Sequence, residues 1–407
     1  MDKLLKAIKK ITYKHMLAVA FLFAIMYTGA VAFLPTIYNV GEYIKTTSPG
    51  IVAVRDMADN EYRNMLSFNN SNSLTDKGIY IDFNGLMARA MGQRFMNERI
   101  KLDNGHLTQI ARKQDVSLAA TQLTKLCNAQ KENGRAFLFV VAPFQVPKYE
   151  DIMPAGYEDF VNDNADDLLE LLRANEVPFI DLREEMKNEG ISYSEAFFVT
   201  DHHWTPEMGF WAYAKIIDYL KREGVAPETS ERFSDISEYD IEIKNDLFLG
   251  SSGKRTGRYF AGADDFSIIS PKDSNWGNGI TFSLPGTDFS VQGSFGDILF
   301  NRNRLNAEPN YFNANPYGLY GFGDAAEKHY SNSNAPADFN ILTIGDSFAL
   351  ATFPYLSLNA GVMDHFDMRY YKNDFSEYYN DTLPDAIIIL VTAHGVVSEN
   401  TTYEFLP

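Results

Sequence analysis

Met16 to Leu34, "MLAVAFLFAIMYTGAVAFL", contains no charged residue, and at about 1.5 Å per helical residue it can cross most of a hydrocarbon core of about 30 Å. The run predicts a transmembrane anchor. From 35 to about 110 no period is sustained: "SFNNSNSLTDKG" is polar, and only "GLMARAMGQRFMNE" shows helical spacing. The pattern then sharpens. "VSLAATQLTKLCNAQKENG" places apolar residues on one helical face and ends at Gly134, where a C-cap glycine belongs. "AFLFVVAP", Ala136 to Pro143, is a short apolar run stopped by proline, as a buried strand is. "DFVNDNADDLLELLRANEV" predicts an amphipathic helix, and "PFIDL", Pro178 to Leu182, a second strand. Strands and helices alternating at these lengths predict an α/β fold with a parallel, helix-covered sheet. Thr205 and Pro206 read as N-cap and first residue of a further helix, with Met208, Ala212, Ile216 and Leu220 as its apolar stripe.

Between 226 and 338 the character changes. Aromatic, Gly, Asn, Asp and Ser residues dominate, with short alternating runs and many turn signals, which predicts a mostly β insertion. The α/β pattern resumes in "FNILTIGDSFALATF": Asn340 to Ile344 as a strand, "GDS" as a turn, and a helix from Phe348. "DHFDMRYY" and "PDAIIILVTA" add strands. The expected organisation is a basic tail (1–15), the anchor (16–34), an irregular linking region (35–110), the first part of the α/β domain (111–225), the insertion (226–338) and the second part (339–407).

Charge refines this picture. The chain of 407 residues, 45% hydrophobic, is globular in composition, and its net charge of -18 makes nucleic acid an unfavourable partner. Within the first fifteen residues, Lys3, Lys6, Lys9, Lys10 and Lys14 face Asp2 alone, so that end carries +4 and the remainder -22. Lysines ahead of an apolar span keep that end cytoplasmic, which predicts a single-pass membrane protein with an extracytoplasmic body. A cleaved signal peptide is the rival, since Ala30-Val31-Ala32 has the small-x-small pattern, and the body is then secreted. Cys127 is the single cysteine, which excludes an intramolecular disulfide and a cysteine metal cluster.

Two stretches carry candidate chemistry. Ser347 in "GDS" stands between a buried strand and a helix, where open α/β sheets bind ligands and where free helical N–H groups favour an oxyanion. A serine nucleophile needs a base, normally a histidine held by a carboxylate. "TDHHWTPEMGF" supplies one: on an extended chain Asp201 and His203 point the same way and His202 points aside. Other readings stay open. Ser347 is also a reasonable N-cap, and Trp204 a core residue beside a structural His202 and a capping Asp201. A metal is disfavoured because adjacent histidines diverge and no His pair stands at helical spacing. "FLGSSGKRTGR" offers Gly250 and Ser251 as oxyanion N–H donors, with Lys254 or Arg255 to meet an anionic glycan, or else is a solvated hairpin turn. Its glycine spacing is too short for a P-loop.

"TDHHWT" followed at a distance by "IGDSF" resembles the DHHW protein family, related to the SGNH hydrolase-like proteins that O-acetylate alginate and other bacterial exopolysaccharides. "FVVAPFQVPKYEDIMPAGY", Phe139 to Tyr157, is similar to their strand-then-loop pattern. The resemblance covers roughly residues 100 to 395. It implies an SGNH hydrolase-like fold, with Ser347 as acyl-accepting nucleophile, His203 as base and Asp201 as orienting acid. Asp346 then fixes the turn, and a triad using His202 remains the variant reading. No cofactor is implied. The implied function is a membrane-anchored O-acetyltransferase acting on a cell-surface polysaccharide, with a multispanning membrane O-acyltransferase as acyl donor. "YFNANPYGLYGFGD", Tyr311 to Asp324, is the candidate glycan-facing segment, with core aromatics as the plainer reading. A carbohydrate acetylesterase with the same triad, a role in D-alanylation of teichoic acids, and a non-catalytic glycan-binding or scaffold subunit are the alternatives.

Overall fold

The two strongest apolar runs of the chain lie side by side at the centre of a sheet. In the computed structural model, β4 (Ala136–Ala142) and β13 (Ala386–Thr392) pair in parallel from Ala136 opposite Ala386 to Ala142 opposite Thr392. All of β13 is buried, and all of β4 beyond its first residue. Continuous apolar sequence is what a parallel strand covered on both faces requires.

The structure describes residues 15–16, 18–23, 26–27, 37–38, 44, 77–305, 311–397 and 405. The chain divides into two units, Met1–Ile81 and Asp82–Pro407. In the first, every described position is helical. The anchor expected over 16–34 falls largely outside the described residues, as do the basic tail up to residue 14 and Ala30-Val31-Ala32. Among the described residues no helix is long and apolar enough to cross a membrane.

Helix α1 (Lys77–Ala90) leads into three short antiparallel strands, β1 (Phe95–Met96), β2 (Arg99–Lys101) and β3 (Leu107–Thr108). Then follow α2 (Ser117–Glu132), β4, α3 (Val161–Ala174), β5 (Phe179–Asp181), α4 (Leu182–Glu189) and α5 (Pro206–Arg222), with short helical turns between the longer elements. α5 begins with Thr205 as N-cap and Pro206 in its first turn, and it buries Met208, Ala212, Ile216 and Leu220.

The main sheet has eight strands in the order β5-β4-β13-β11-β12-β10-β8-β9, where β8 is Ile280–Ser283, β9 Ser290–Gly293, β10 Glu327–Asn332, β11 Asn340–Gly345 and β12 Val362–Phe366. The expectation of a parallel sheet needs correction, because the sheet is mixed: five strands are parallel, while β10 runs antiparallel to β12, with Lys328 opposite His365, and β8 and β9 continue antiparallel. The short connection from Ser283 to Ser290 allows only a hairpin, whereas a parallel neighbour needs a long crossover. Residues 226–338 therefore extend the main sheet as well as forming a separate ribbon of β6 (Tyr239–Phe248) and β7 (Asp264–Pro271).

Ser347 follows the carboxyl end of β11, near the middle of the sheet. The segment after it is not the expected α-helix but two short 3-10 turns, Ser347–Ala351 and Phe353–Leu358. Pro354 inside the second and crowding against α5 explain this: a Cβ on Gly209 would lie 2.6 Å from the Ala351 carbonyl oxygen.

Candidate active site

The loop from Thr200 to His203 is closed by an antiparallel bridge between Phe197 and Trp204. Two side chains from elsewhere fix its path. Asp264 accepts from the N–H groups of Val199 (2.7 Å) and Thr200 (2.8 Å) and from the Thr200 hydroxyl. Gln145 donates its amide to the carbonyls of Phe198 (3.1 Å) and Asp201. A loop pinned at both carbonyl and N–H groups can present its side chains in one arrangement.

Within that loop Asp201 is buried and fully engaged. One carboxylate oxygen accepts the His203 backbone N–H at 3.0 Å and the His203 Nδ1–H; the other accepts the Ser251 N–H at 2.5 Å. Burial by itself raises the Asp201 pKa, but the facing imidazoles of His203 and His202 and these hydrogen bonds hold it well below the usual carboxylate range. Because a carboxylate only accepts, His203 carries its proton on Nδ1, and Nε2 is free to accept from Ser347 Oγ, 2.7 Å away. The three side chains thus form one hydrogen-bonded line.

His203 is held by rings as well. Tyr317 stacks on it at 4.1 Å between centroids and 18° between planes, and Phe348 lies 5.0 Å away. Trp204, fully buried, donates its indole N–H to the Phe348 carbonyl at 3.1 Å. Asp346 accepts the Phe348 N–H at 2.9 Å and caps the 3-10 turn that begins with Ser347. Burial raises the Asp346 pKa against the opposing pull of Arg369.

The remaining candidates fall elsewhere. It is His203, not His202, whose ring reaches the serine. His202 lies against His203, 3.9 Å between centroids, with Nδ1 2.9 Å from the Ser251 hydroxyl; burial and the adjoining His203 hold its pKa well down. Gly250 and Ser251 do not present their N–H groups to an oxyanion: Gly250 donates to the Thr200 hydroxyl at 2.9 Å and Ser251 to Asp201. Their stretch is no hairpin but a short helix, α6 (Ser251–Thr256), whose first turn grips the carboxylate. Its basic residues are engaged within the chain: Lys254 Nζ donates to the Ala314 carbonyl, and Arg255, exposed, pairs with Glu98 at 3.1 Å. In the segment expected to face a glycan, Tyr317, Leu319 and Tyr320 are buried instead.

Asp201, His202 and His203 offer ligand atoms within 4.8 Å of one another. A cation there would have to displace the bonds those atoms already make to Ser251, Ser347 and each other. Sequence reasoning missed Tyr317, Asp264 and Gln145. Two of them left a signal: Gln145 lies in the strand-then-loop stretch that carries part of the resemblance, and Tyr317 in the aromatic segment from Tyr311 to Asp324.

Residues 102–238 match the family described as SGNH hydrolase-like domain, acetyltransferase AlgX. PatB1 of Bacillus cereus superposes with a TM-score of 0.60 at 20% identity, over 76% of this chain and 100% of its own. PatB1 with a sulfonyl adduct gives 0.60 at 19% identity, over 75% and 99%. A DHHW family protein from Eubacterium siraeum gives 0.55 at 18% identity, over 76% and 95%. No curated protein sequence matches the chain. At these identities the likeness is one of fold: an SGNH-like α/β domain with a central mixed sheet flanked by helices.

Proposed function

We propose that the body of this chain is an acyl-transferring enzyme that O-acetylates an extracellular polysaccharide, with Ser347 as nucleophile, His203 as base and Asp201 as the acid that orients it. One contact carries the reading, the 2.7 Å bond between Ser347 Oγ and His203 Nε2. It supports these roles because a serine hydroxyl and an imidazole nitrogen at that distance, in a line that ends on an ionised carboxylate, suit proton transfer. The likeness to the acetyltransferase family over 102–238 supports acetyl as the group transferred.

In the first half-reaction Ser347 Oγ attacks the acetyl carbonyl while His203 takes its proton and passes it to the leaving group of the donor. The tetrahedral oxyanion turns to the Ser347 backbone N–H, because the N–H of Phe348 is held by the Asp346 side chain and that of Ala349 by the Asp346 carbonyl. In the second, His203 removes the proton of a sugar hydroxyl, whose oxygen attacks the acyl-serine, and then returns that proton to Ser347. A membrane anchor at 16–34 and a multispanning membrane O-acyltransferase as donor complete the proposal, as the resemblance implies.

Mass spectrometry of residues 36–407 after incubation with an activated acetyl ester tests it. A single adduct or ester turnover is expected, absent in Ser347→Ala and His203→Ala; neither appearing between pH 6 and 8 would overturn the nucleophile. Glycan acceptors then separate transfer from hydrolysis. A sulfonyl fluoride offers a second test, given the sulfonyl adduct described for PatB1: it should label Ser347.

A further inference from the structure

Arg99, in β2, is buried to nine-tenths, which for a permanent charge demands partners. Its Nε donates to Ser252 Oγ at 3.0 Å and its Nη1 to the Glu98 carbonyl at 3.0 Å, while Nη2 makes no hydrogen bond to any of the described residues. Among the described residues no carboxylate forms an ion pair with it. The Glu98 carboxylate is drawn off by Arg255, and Asp201 is committed to His203 and Ser251. Burial lowers the Arg99 pKa and Arg255 adds to the effect, while the charges of Glu98 and Asp201 oppose it in part.

The position of this guanidinium is set by α6. Ser252 anchors Arg99, and its neighbour Ser251 holds Asp201 through its N–H and meets His202 Nδ1 through its hydroxyl. His202 keeps a third of its side chain exposed, with Nε2 bonded to none of the described residues. From the other flank His394, following β13, rests on Phe144 at 4.9 Å and spends Nε2 on Gln109 at 3.2 Å, which leaves Nδ1. The field of Arg99 reaches both imidazoles and lowers the pKa of each, behind the larger effect of burial. Adjacent residues of α6 thus hold Arg99 and His202 on the side of the loop that carries the His203 ring, and His394 comes to the same loop and turn through its neighbours: a Cβ on Gly395 would lie 3.3 Å from Asp346 Oδ2, and Gln145, next to Phe144, bonds the Asp201 carbonyl. The body that carries these three nitrogen donors is strongly acidic overall.

We propose that Arg99, His202 and His394 form an anion subsite that receives an oxyanion group, a carboxylate or a phosphate, on the acceptor and so sets the hydroxyl before Ser347. Arg99 Nη2 supplies the charge-assisted bond. His202 adds an Nε2–H donor when the Ser251 hydroxyl donates to its Nδ1, and His394 an Nδ1–H donor when the Gln109 amide donates to its Nε2. The subsite takes over the role that the sequence alone gives to Lys254 and Arg255. Calling its ligand an acceptor rests on the acyl-transfer reading; the binding of an anion does not.

The test is binding without donor, by calorimetry on the full chain, using oligogalacturonate, an uncharged galactose oligomer of equal length and a glycerol-phosphate oligomer. One anionic oligomer should bind about tenfold or more tighter than the uncharged one, with affinity falling as salt rises. Whichever anion is preferred identifies the source of the oxyanion. Arg99→Gln should abolish the preference, Arg99→Lys should retain part of it, and His394→Gln should reduce it about threefold. Equal binding of charged and uncharged oligomers, or a preference that survives Arg99→Gln, overturns the subsite. If Arg99→Gln does not fold, the salt dependence and His394→Gln decide the matter. Ester turnover and Ser347 acylation are read separately on the wild type: anion preference without acylation overturns the acyl-transfer reading alone, and acylation without anion preference overturns the subsite alone.

Discussion

The indole N–H of Trp204 donates to the carbonyl of Phe348 at 3.1 Å. Together with the His203 to Ser347 bond it joins the loop that carries Asp201 and His203 to the turn that carries Ser347, two segments brought together where α5 packs on the 3-10 turns after β11. Trp204 thus fixes the separation of base and nucleophile without touching either reacting atom.

Trp204→Phe removes the donor and part of a fully buried ring. An orphaned carbonyl and a partial cavity together should cost about 2 to 4 kcal/mol of stability. Turnover of an activated acetyl ester should fall in kcat, since the His203 to Ser347 distance is no longer set. Urea unfolding and steady-state kinetics on one preparation check both, and unchanged kcat in a destabilised variant would make Trp204 a core residue only.

Gly250 is needed for close approach and not for backbone freedom. A Cβ at this position would lie 2.1 Å from the Asp201 Cβ and 2.5 Å from its Oδ2. Gly250→Ala must therefore push the carboxylate away from His203, at a cost of about 1 to 3 kcal/mol of overpacking strain. The expected signature is a loss of ester turnover much larger than the loss of stability, whereas Gly253→Ala, which crowds Leu249 and Thr200, should act mainly on stability.

What the sequence discloses follows from the range of the interactions involved. β4 and β13 are legible because their burial is written in consecutive residues, and α5 because its cap and stripe are local. The antiparallel β8 to β10 edge is not, since Ile280–Ser283 is four residues long and owes its place to pairing with β10. Asp201, His203 and Ser347 are visible as motifs. The side chains that hold them, Tyr317, Asp264, Gln145 and Trp204 through its indole, act across long stretches of chain. Gly250 and Ser251 show the intermediate case: they stand out as residues of the site, but only the fold reveals that their N–H groups secure the loop and the acid.

Tyr317 should matter through its ring. It stacks on His203 at 4.1 Å and keeps the imidazole plane aligned with Ser347. Tyr317→Ala opens a cavity and should cost about 3 to 5 kcal/mol, with a fall in kcat. Tyr317→Phe keeps the stack, so ester turnover should stay within about twofold. A large loss in the Phe variant would assign the work to the hydroxyl instead.

The depressed pKa of Asp201 makes a prediction whose sign is fixed by linkage. In the unfolded chain an aspartate titrates near about 3.9; in the native protein this carboxyl is held well below that, by His203, His202 and the bonds from His203 and Ser251, in spite of burial. Between those two values the unfolded state binds the proton and the native state does not, so the stability Asp201 contributes is complete above about pH 5 and declines as the pH falls through 4. Asp201→Asn has nothing to titrate. The difference in unfolding free energy between wild type and Asp201→Asn should accordingly be constant from pH 7 to 5 and shrink toward pH 3, with the opposite-signed contributions of Asp159 and Asp346 cancelling in the subtraction. The amide also cannot hold the imidazolium formed during acyl transfer, and it favours the wrong tautomer of His203, so turnover should fall by about a thousandfold or more. Urea unfolding at stepped pH, with kinetics at pH 7.5, measures both. A stability difference that stays flat down to pH 3 would show that the carboxyl is not held ionised, and the line from Asp201 through His203 to Ser347 would lose its charged end.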